Sequence, residues 1–301
     1  MTSYLEPQLQ NAEGIKKLLK EVPISFTLAD GRDVKTLLVY LPIEDGKCSY
    51  LGFFEEIKKG ILYNFVFKCS EIEKKLGIEN VNGDAATELF EKALRKLSQH
   101  TAKGELGELI LFTLLDVYFG APKILSKVAT KTSPRMPVFG ADAVHGQFEN
   151  NQFKLYLGES KIWKEFKLAA SDAAASIKKA ADNYPIEFDL LDSDMDFPNN
   201  NEDLTIQILE FLNPYHENDL SEVIHSPCFI GFNETNLISD ANSEEEFVAS
   251  YSELAYDYIE DFFAKVENKE IDIDATSLIM LPFTCIDDLV SQFIDNLGIA
   301  K

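Results

Sequence analysis

Beyond Pro185 the chain almost lacks positive charge: residues 186–301 hold 3 of the 28 Lys/Arg but 27 of the 51 Asp/Glu. The first 185 residues are balanced, so the formal net charge of −23 is segregated rather than spread. That poverty excludes the C-terminal part from tracking a phosphate backbone by itself. It leaves the rest free to do so, because screening at physiological salt limits exposed charges to about 8 Å. Cysteine is scarce as well. Cys48, Cys69, Cys228 and Cys285 form no CxxC pair, which argues against a zinc knuckle and for buried free thiols in a reducing cytoplasm. The four histidines, His100, His145, His216 and His225, show no metal-ligand spacing. Long apolar runs are missing, the longest being Leu109 to Leu115, too short to cross a bilayer. The polar, mixed-charge residues Met1–Gly14 do not read as a secretory leader. Gly104-Glu-Leu-Gly107 lacks both the Walker lysine and the GxGxxG pattern, so nucleotide binding has no support. The expectation is a soluble cytoplasmic protein without membrane contact.

What is present divides into three stretches. Residues 1–80 read as a β-rich unit, with Ile24–Leu28 and Val34–Leu41 flanking a turn that contains Gly31, and a strand-like run at Gly60–Lys68. Residues 81–185 carry a helix from Ala85 to about Gln99, capped by Asp84, and a second from Glu105 to Phe119 that is apolar on most sides. A basic loop with Lys123, Lys127, Lys131 and Arg135 leads to a hairpin at Asp142–Lys161. An alanine-rich helix from Lys164 to about Asp182 follows and stops at Tyr184-Pro185. Residues 186–301 form an acidic α/β part, packed on or completing the core. Here the pattern predicts an Asp/Asn-rich loop at Asp189–Asp203, strands at Ile206–Leu212, Cys228–Phe232 and Ser277–Phe283, and helices near Glu244–Glu267 and Ile286–Leu297.

Glu-x-Lys occurs five times and proves nothing alone; context singles out Glu159/Lys161. If Asn150-Asn151 forms a type I′ turn, Glu149 faces Gln152, Phe148 faces Phe153, Gly146 faces Leu155 and Val144 faces Leu157. Continued, that register sets Asp142 opposite Glu159, and alternation puts Asp142, Glu159 and Lys161 at one end of an otherwise apolar face. His145 falls on the opposite face, as a structural residue. Two carboxylates about 5 Å apart repel unless a cation sits between them, and oxygen ligands suit Mg²⁺ or Mn²⁺. Lys161 would point at a scissile phosphate or the attacking water, its charge favoured by the nearby acids. Glu108, near the start of the buried helix, is preferred over Glu105 as a third carboxylate. On the next helix Lys164, Lys167, Ser171 and Lys178 recur at helical spacing with Lys179 beside them, a stripe suited to phosphates without sequence choice. Trp163 reads as core packing.

The order of a helical Glu, a strand Asp, Glu-x-Lys on the next strand and then a helix resembles the PD-(D/E)XK nuclease core. In detail, Lys103-Gly-Glu-Leu-Gly-Glu108, Phe139-Gly-Ala-Asp142 and Leu157-Gly-Glu-Ser-Lys-Ile-Trp163 resemble the HamA nucleases of Hachiman anti-phage defence. Ala141 stands where the family motif nominally has proline. The resemblance implies a restriction-endonuclease-like α/β core, a mixed central sheet flanked by helices. It implies Asp142, Glu159 and the carbonyl of Ser160 as metal ligands, Lys161 as catalytic, and Glu108 as an outer or second-metal ligand. It further implies DNA as substrate and the superfamily 2 helicase HamB as partner. The leading expectation is therefore an Mg²⁺-dependent deoxyribonuclease. A catalytically silent nuclease-fold module that regulates a helicase is the alternative, and an acidic DNA mimic ranks last.

Overall fold

From Ala143 to Ile162, apolar and polar residues alternate on either side of Asn150-Asn151, and the segment folds as the hairpin this pattern dictates. The computed structural model describes residues 4–79, 84–126, 128, 140–199 and 202–300. Lys127, Lys131, Arg135 and Phe139 lie outside the described residues. Both turn asparagines have positive φ, 51° and 64°, the left-handed pair that a two-residue I′ turn demands. The register is the expected one, from Glu149↔Gln152 through Val144↔Leu157 to Ala143↔Gly158.

The strands in chain order are β1 (Lys20–Val22), β2 (Phe26–Thr27), β3 (Asp33–Tyr40), β4 (Ile43–Glu44), β5 (Lys47–Cys48), β6 (Lys123–Leu125), β7 (Ala143–Glu149), β8 (Gln152–Ile162), β9 (Ile224–Asn233) and β10 (Thr276–Phe283). Among the described residues, all but the β4–β5 pair join one sheet in the order β1-β3-β10-β9-β8-β7-β6, with β2 also on β3. The inner pairs β3/β10, β10/β9 and β9/β8 are parallel and the outer ones antiparallel. This is the expected mixed sheet flanked by helices. Parallel strands are covered on both faces, and here β10 is buried along its whole length. The apolar helix Ala102–Tyr118 covers one face, packing on β7, β8 and β9. The alanine-rich helix Phe166–Asp182 covers the other, its Ala169, Ala170, Ala173 and Ala174 letting it lie close on β8 and β9. The acidic helix Glu244–Glu267 packs beside it, its Tyr251 hydroxyl donating to the Met280 carbonyl of β10.

N-terminal β3, central β8 and C-terminal β9 and β10 therefore share one hydrogen-bonded sheet. A chain ending at Pro185 loses the two strands between β3 and β8. We expect that fragment to show no cooperative thermal transition by circular dichroism; a sharp one would contradict this account of the sheet.

Several expectations are corrected. The run Gly60–Lys68 is helical as far as Val66, a π turn over Ile57–Ile61 running into the α-helix Leu62–Val66. Its aromatic and β-branched residues suggest a strand, but burial at Ile57, Ile61 and Phe65 recurs every four residues, a helical period. Ile206–Leu212 belongs to the helix Glu202–Leu212, whose buried Ile208 and Leu212 are again four apart. Tyr184-Pro185 ends one helix by starting another, Tyr184–Asp194, with proline in its first turn, so the Asp/Asn-rich segment opens as helix. Lys123 is no loop cation: it lies buried in β6, its amine donating to the main-chain carbonyls of Asn64, Phe65 and Phe67. These are orphan acceptors at the end of the Leu62–Val66 helix. Burial lowers its pKa to about 8.

His145 is fully buried in β7, and its Nδ1 lies 2.7 Å from the carbonyl oxygen of Ala121, so the neutral ring donates there. Burial, with the Lys123 charge beside it, depresses the imidazole to about 3, against an ordinary 6.5. The unfolded chain therefore binds the extra proton first. His145's contribution is intact above about pH 6.5 and falls away as the pH drops towards 3, by at most about 1.4 kcal/mol per unit. A glutamine can donate to Ala121 without titrating. His145→Gln should thus lose less stability than wild type between pH 7 and 5, read from urea midpoints; parallel losses would refute the assignment.

Candidate active site

Two glycines let the central helix meet the strand that carries Glu-x-Lys. A Cβ on Gly107 would stand 3.2 Å from Ser160 Oγ, and one on Gly158 2.9 Å from Leu111 Cδ2. Helix and strand are in direct contact along Gly107, Leu111, Gly158 and Ser160. Glu159 and Lys161 point to the opposite face, towards the alanine-rich helix.

There Lys161 Nζ lies 2.6 Å from Glu159 and 3.2 Å from Asp172. Ser176, one turn beyond Asp172, sets its hydroxyl near enough to Glu159 to favour the ionised carboxylate. Burial first, and the negative charge of Asp142 second, raise the Glu159 carboxyl to about 7, against the restraint of Lys161 and Ser176. For Lys161, burial opposes the charged form. Glu159, by charge and hydrogen bond, with Asp172 and Asp142, outweighs it and lifts the amine above its ordinary range.

Asp142 does not stand square across from Glu159. The ladder's last regular pair is Ala143↔Gly158; the Asp142 N–H donates to the Gly158 carbonyl at 2.8 Å. Its Oδ2 accepts from the N–H and the hydroxyl of Ser160, at 2.8 and 3.0 Å. The carboxylate thus turns at the sheet margin towards the central-helix side, while its charge still reaches Glu159 and Lys161. It borders a cavity of about 20 Å³ together with Glu108, Phe112, Lys123 and His145. That volume holds a single water-sized occupant. Glu105, by contrast, is buried and accepts from the Ser98 N–H and the Thr101 hydroxyl, bracing the helix start.

The arrangement brings Asp142, Glu159, Ser160 and Lys161 together and sets Glu108 beside Asp142. It forms two acid pairs sharing Asp142 rather than one triad: among the described residues no three Asp, Glu, His or Cys side chains are gathered closely enough to hold a metal. The donor chemistry nevertheless fits a hard divalent cation. A buried carboxylate with raised proton affinity next to a second acid favours a cation in place of the proton.

The lysine stripe is not brought to this site. At about 100° per helical residue, Lys167, Ser171 and Lys178 lie roughly 140° round from Asp172 and Ser176. Lys164 pairs with Asp287 at 2.6 Å and Lys178 with Asp182 at 2.8 Å. Lys179, seven residues after Asp172, is the lysine on the site's side. Trp163 is 40% exposed, not core packing, because β8 ends at Ile162 and carries the indole to the rim. Asp172 and Ser176 are site residues that motif reading misses; their signal is a four-residue spacing of polar groups on a helix otherwise lined with alanine.

No helix among the described residues is long and apolar enough to cross a membrane. No curated protein matches the chain. A family model described as HamA matches residues 16–297, nearly its whole length and including every residue of the site. The chain belongs to the HamA family, the anti-phage defence proteins of the Hachiman system.

Proposed function

We propose that this protein hydrolyses phosphodiester bonds of DNA at the Asp142–Glu159–Lys161 centre, with little sequence preference and with Mg²⁺ or Mn²⁺. The observation that carries the reading is the buried Glu159 carboxylate, flanked by the Asp142 charge on one side and the Lys161 amine on the other. Asp142, Glu159 and the carbonyl of Ser160 would hold the cation, with Glu108 near Asp142 as an outer carboxylate. A divalent cation at such a site neutralises phosphate charge and lowers the pKa of water. Lys161 offers a fixed ammonium to the phosphate oxygens, and Glu159 and Asp172 orient it. Ser160 holds Asp142 in place through two hydrogen bonds. Through the family, the superfamily 2 helicase HamB is the proposed partner.

Incubation of the full chain, alone and with that helicase, with linear and circular DNA tests the reading. Cleavage should require the divalent cation, stop with chelator, and be lost in Glu159→Gln. Undiminished cutting by that variant would end the assignment.

The second reading is a silent module of nuclease fold that regulates the helicase. It is favoured by the absence of a gathered three-acid set among the described residues, with Lys161 held between Glu159 and Asp172. Helicase binding unaffected by Glu159→Gln, without cleavage by wild type under any activating condition, would select it.

A further inference from the structure

Strand β8 ends at Ile162, and the next residue is the sole tryptophan of the chain. Its main-chain N–H is fixed to the Gly231 carbonyl at 2.9 Å, so the backbone is anchored where the indole emerges. The ring is 40% exposed, and Lys103 Nζ lies 5.9 Å from its centroid, at the start of the central helix. Leu168, 52% exposed, precedes Asp172 by one turn on the same side of its helix. Two large apolar side chains thus stand in solvent, one just past the strand that bears the Lys161 amine and one on the helix that bears Asp172. Trp163 follows that amine by two residues, about 7 Å of extended backbone. Exposing an indole beside charged side chains forfeits burial, and a flat aromatic at a phosphate-handling site has one ready occupant, the face of a base. A paired base inside a duplex presents only its edges, whereas an unpaired one can swing onto the ring.

We propose that Trp163 is the stacking seat for an unpaired nucleobase next to the scissile phosphate, with Lys103 contacting the adjoining backbone. The inference rests on the nuclease reading and adds the substrate class: single-stranded or frayed DNA. Seating one base on Trp163 brings the adjoining phosphates to the end of the strand that carries Lys161, and no base identity is selected because every base has a π-face.

The test uses the full chain in chelator, so that nothing is cut. Because the chain has one tryptophan, its fluorescence reports this position alone. Titration with oligothymidylate should quench it saturably, and a blunt, fully paired duplex of equal length should not. Anisotropy of a dye-labelled oligothymidylate should show Trp163→Phe binding within about twofold of wild type and Trp163→Ala about tenfold more weakly. Circular dichroism checks that both variants are folded. Oligothymidylate binding with unchanged tryptophan emission, or equal affinity of wild type and Trp163→Ala, overturns the proposal. Cleavage by wild type with Mg²⁺, measured in parallel, separates the two claims. If DNA is cut but the indole is never quenched, only the stacking seat fails; if DNA is neither bound nor cut, both fail.

Discussion

Replacing Lys161 with alanine should lower the rate of DNA cleavage by about a thousandfold, the scale on which removing one preorganised charge from a reacting phosphate acts. The amine is pinned between Glu159 and Asp172 at 2.6 and 3.2 Å, so its position is set before substrate arrives. Alanine removes the charge and leaves Glu159 with the Ser176 hydroxyl and the Asp142 charge. Arginine would keep the charge but not the position, and Lys161→Arg should recover at most a small part of the rate. Asp172→Asn is the finer probe. Asp172 orients the amine without completing it, so we expect a loss of tens-fold, confined to the maximal rate. Initial rates on supercoiled DNA with saturating Mg²⁺ measure all three. Wild-type rates in Lys161→Ala would remove the amine from the chemistry.

The second large effect is on stability. Burial first, and the Asp142 charge second, hold the Glu159 carboxyl well above its ordinary 4.5 in the folded protein, so the native state keeps a proton that the unfolded chain has released. For a raised carboxyl the sign is unfavourable on ionisation: stability is greatest below about pH 4.5, declines through pH 7, and the full penalty remains above it. Asp142→Asn removes the neighbouring negative charge, and its side-chain oxygen can still accept both Ser160 hydrogen bonds. We therefore expect Asp142→Asn to be the more stable protein at pH 8, by about 1–2 kcal/mol, and to differ little from wild type near pH 5. Mg²⁺ should raise the thermal midpoint of wild type at pH 8, chelator should reverse that rise, and Asp142→Asn should show much less of it. A variant no more stable than wild type at pH 8, with no response to Mg²⁺ in either protein, would mean that these acids do not share a field. An inactive protein more stable than the active one is the usual mark of groups held together against their own repulsion.

Legibility from sequence followed the range of the physics involved. The Asn150-Asn151 hairpin and its register were readable because turn chemistry and two-residue alternation are local. The helices Glu244–Glu267 and Ile286–Leu297 were readable for the same reason, their apolar residues recurring at helical spacing. Phe65 and its aromatic neighbours misled because side-chain preference for strands was weighed above a four-residue burial period that only the packed structure displays. The strand order was not legible at all. β3 pairs with β10 across more than two hundred residues, and nothing in either sequence states that partnership. At the site, Glu159 and Lys161 could be placed by alternation along one strand. The turn of Asp142 onto Ser160 could not, since it arises where the ladder gives out. Asp172 and Ser176 escaped notice because a helix face acquires its meaning only once the strand beneath it is known.

The position of β8 between β7 and β9 has a consequence for the order in which the centre is assembled. The parallel partner of the Glu159–Lys161 strand comes from residues 224–233, and the strand tying that partner to the N-terminal sheet comes from residues 276–283. A chain still emerging from the ribosome holds every acid and the amine of the centre, yet lacks the frame that orients them. The side chains of the centre are thus brought into register only when residues 224–233 and 276–283 have joined the sheet.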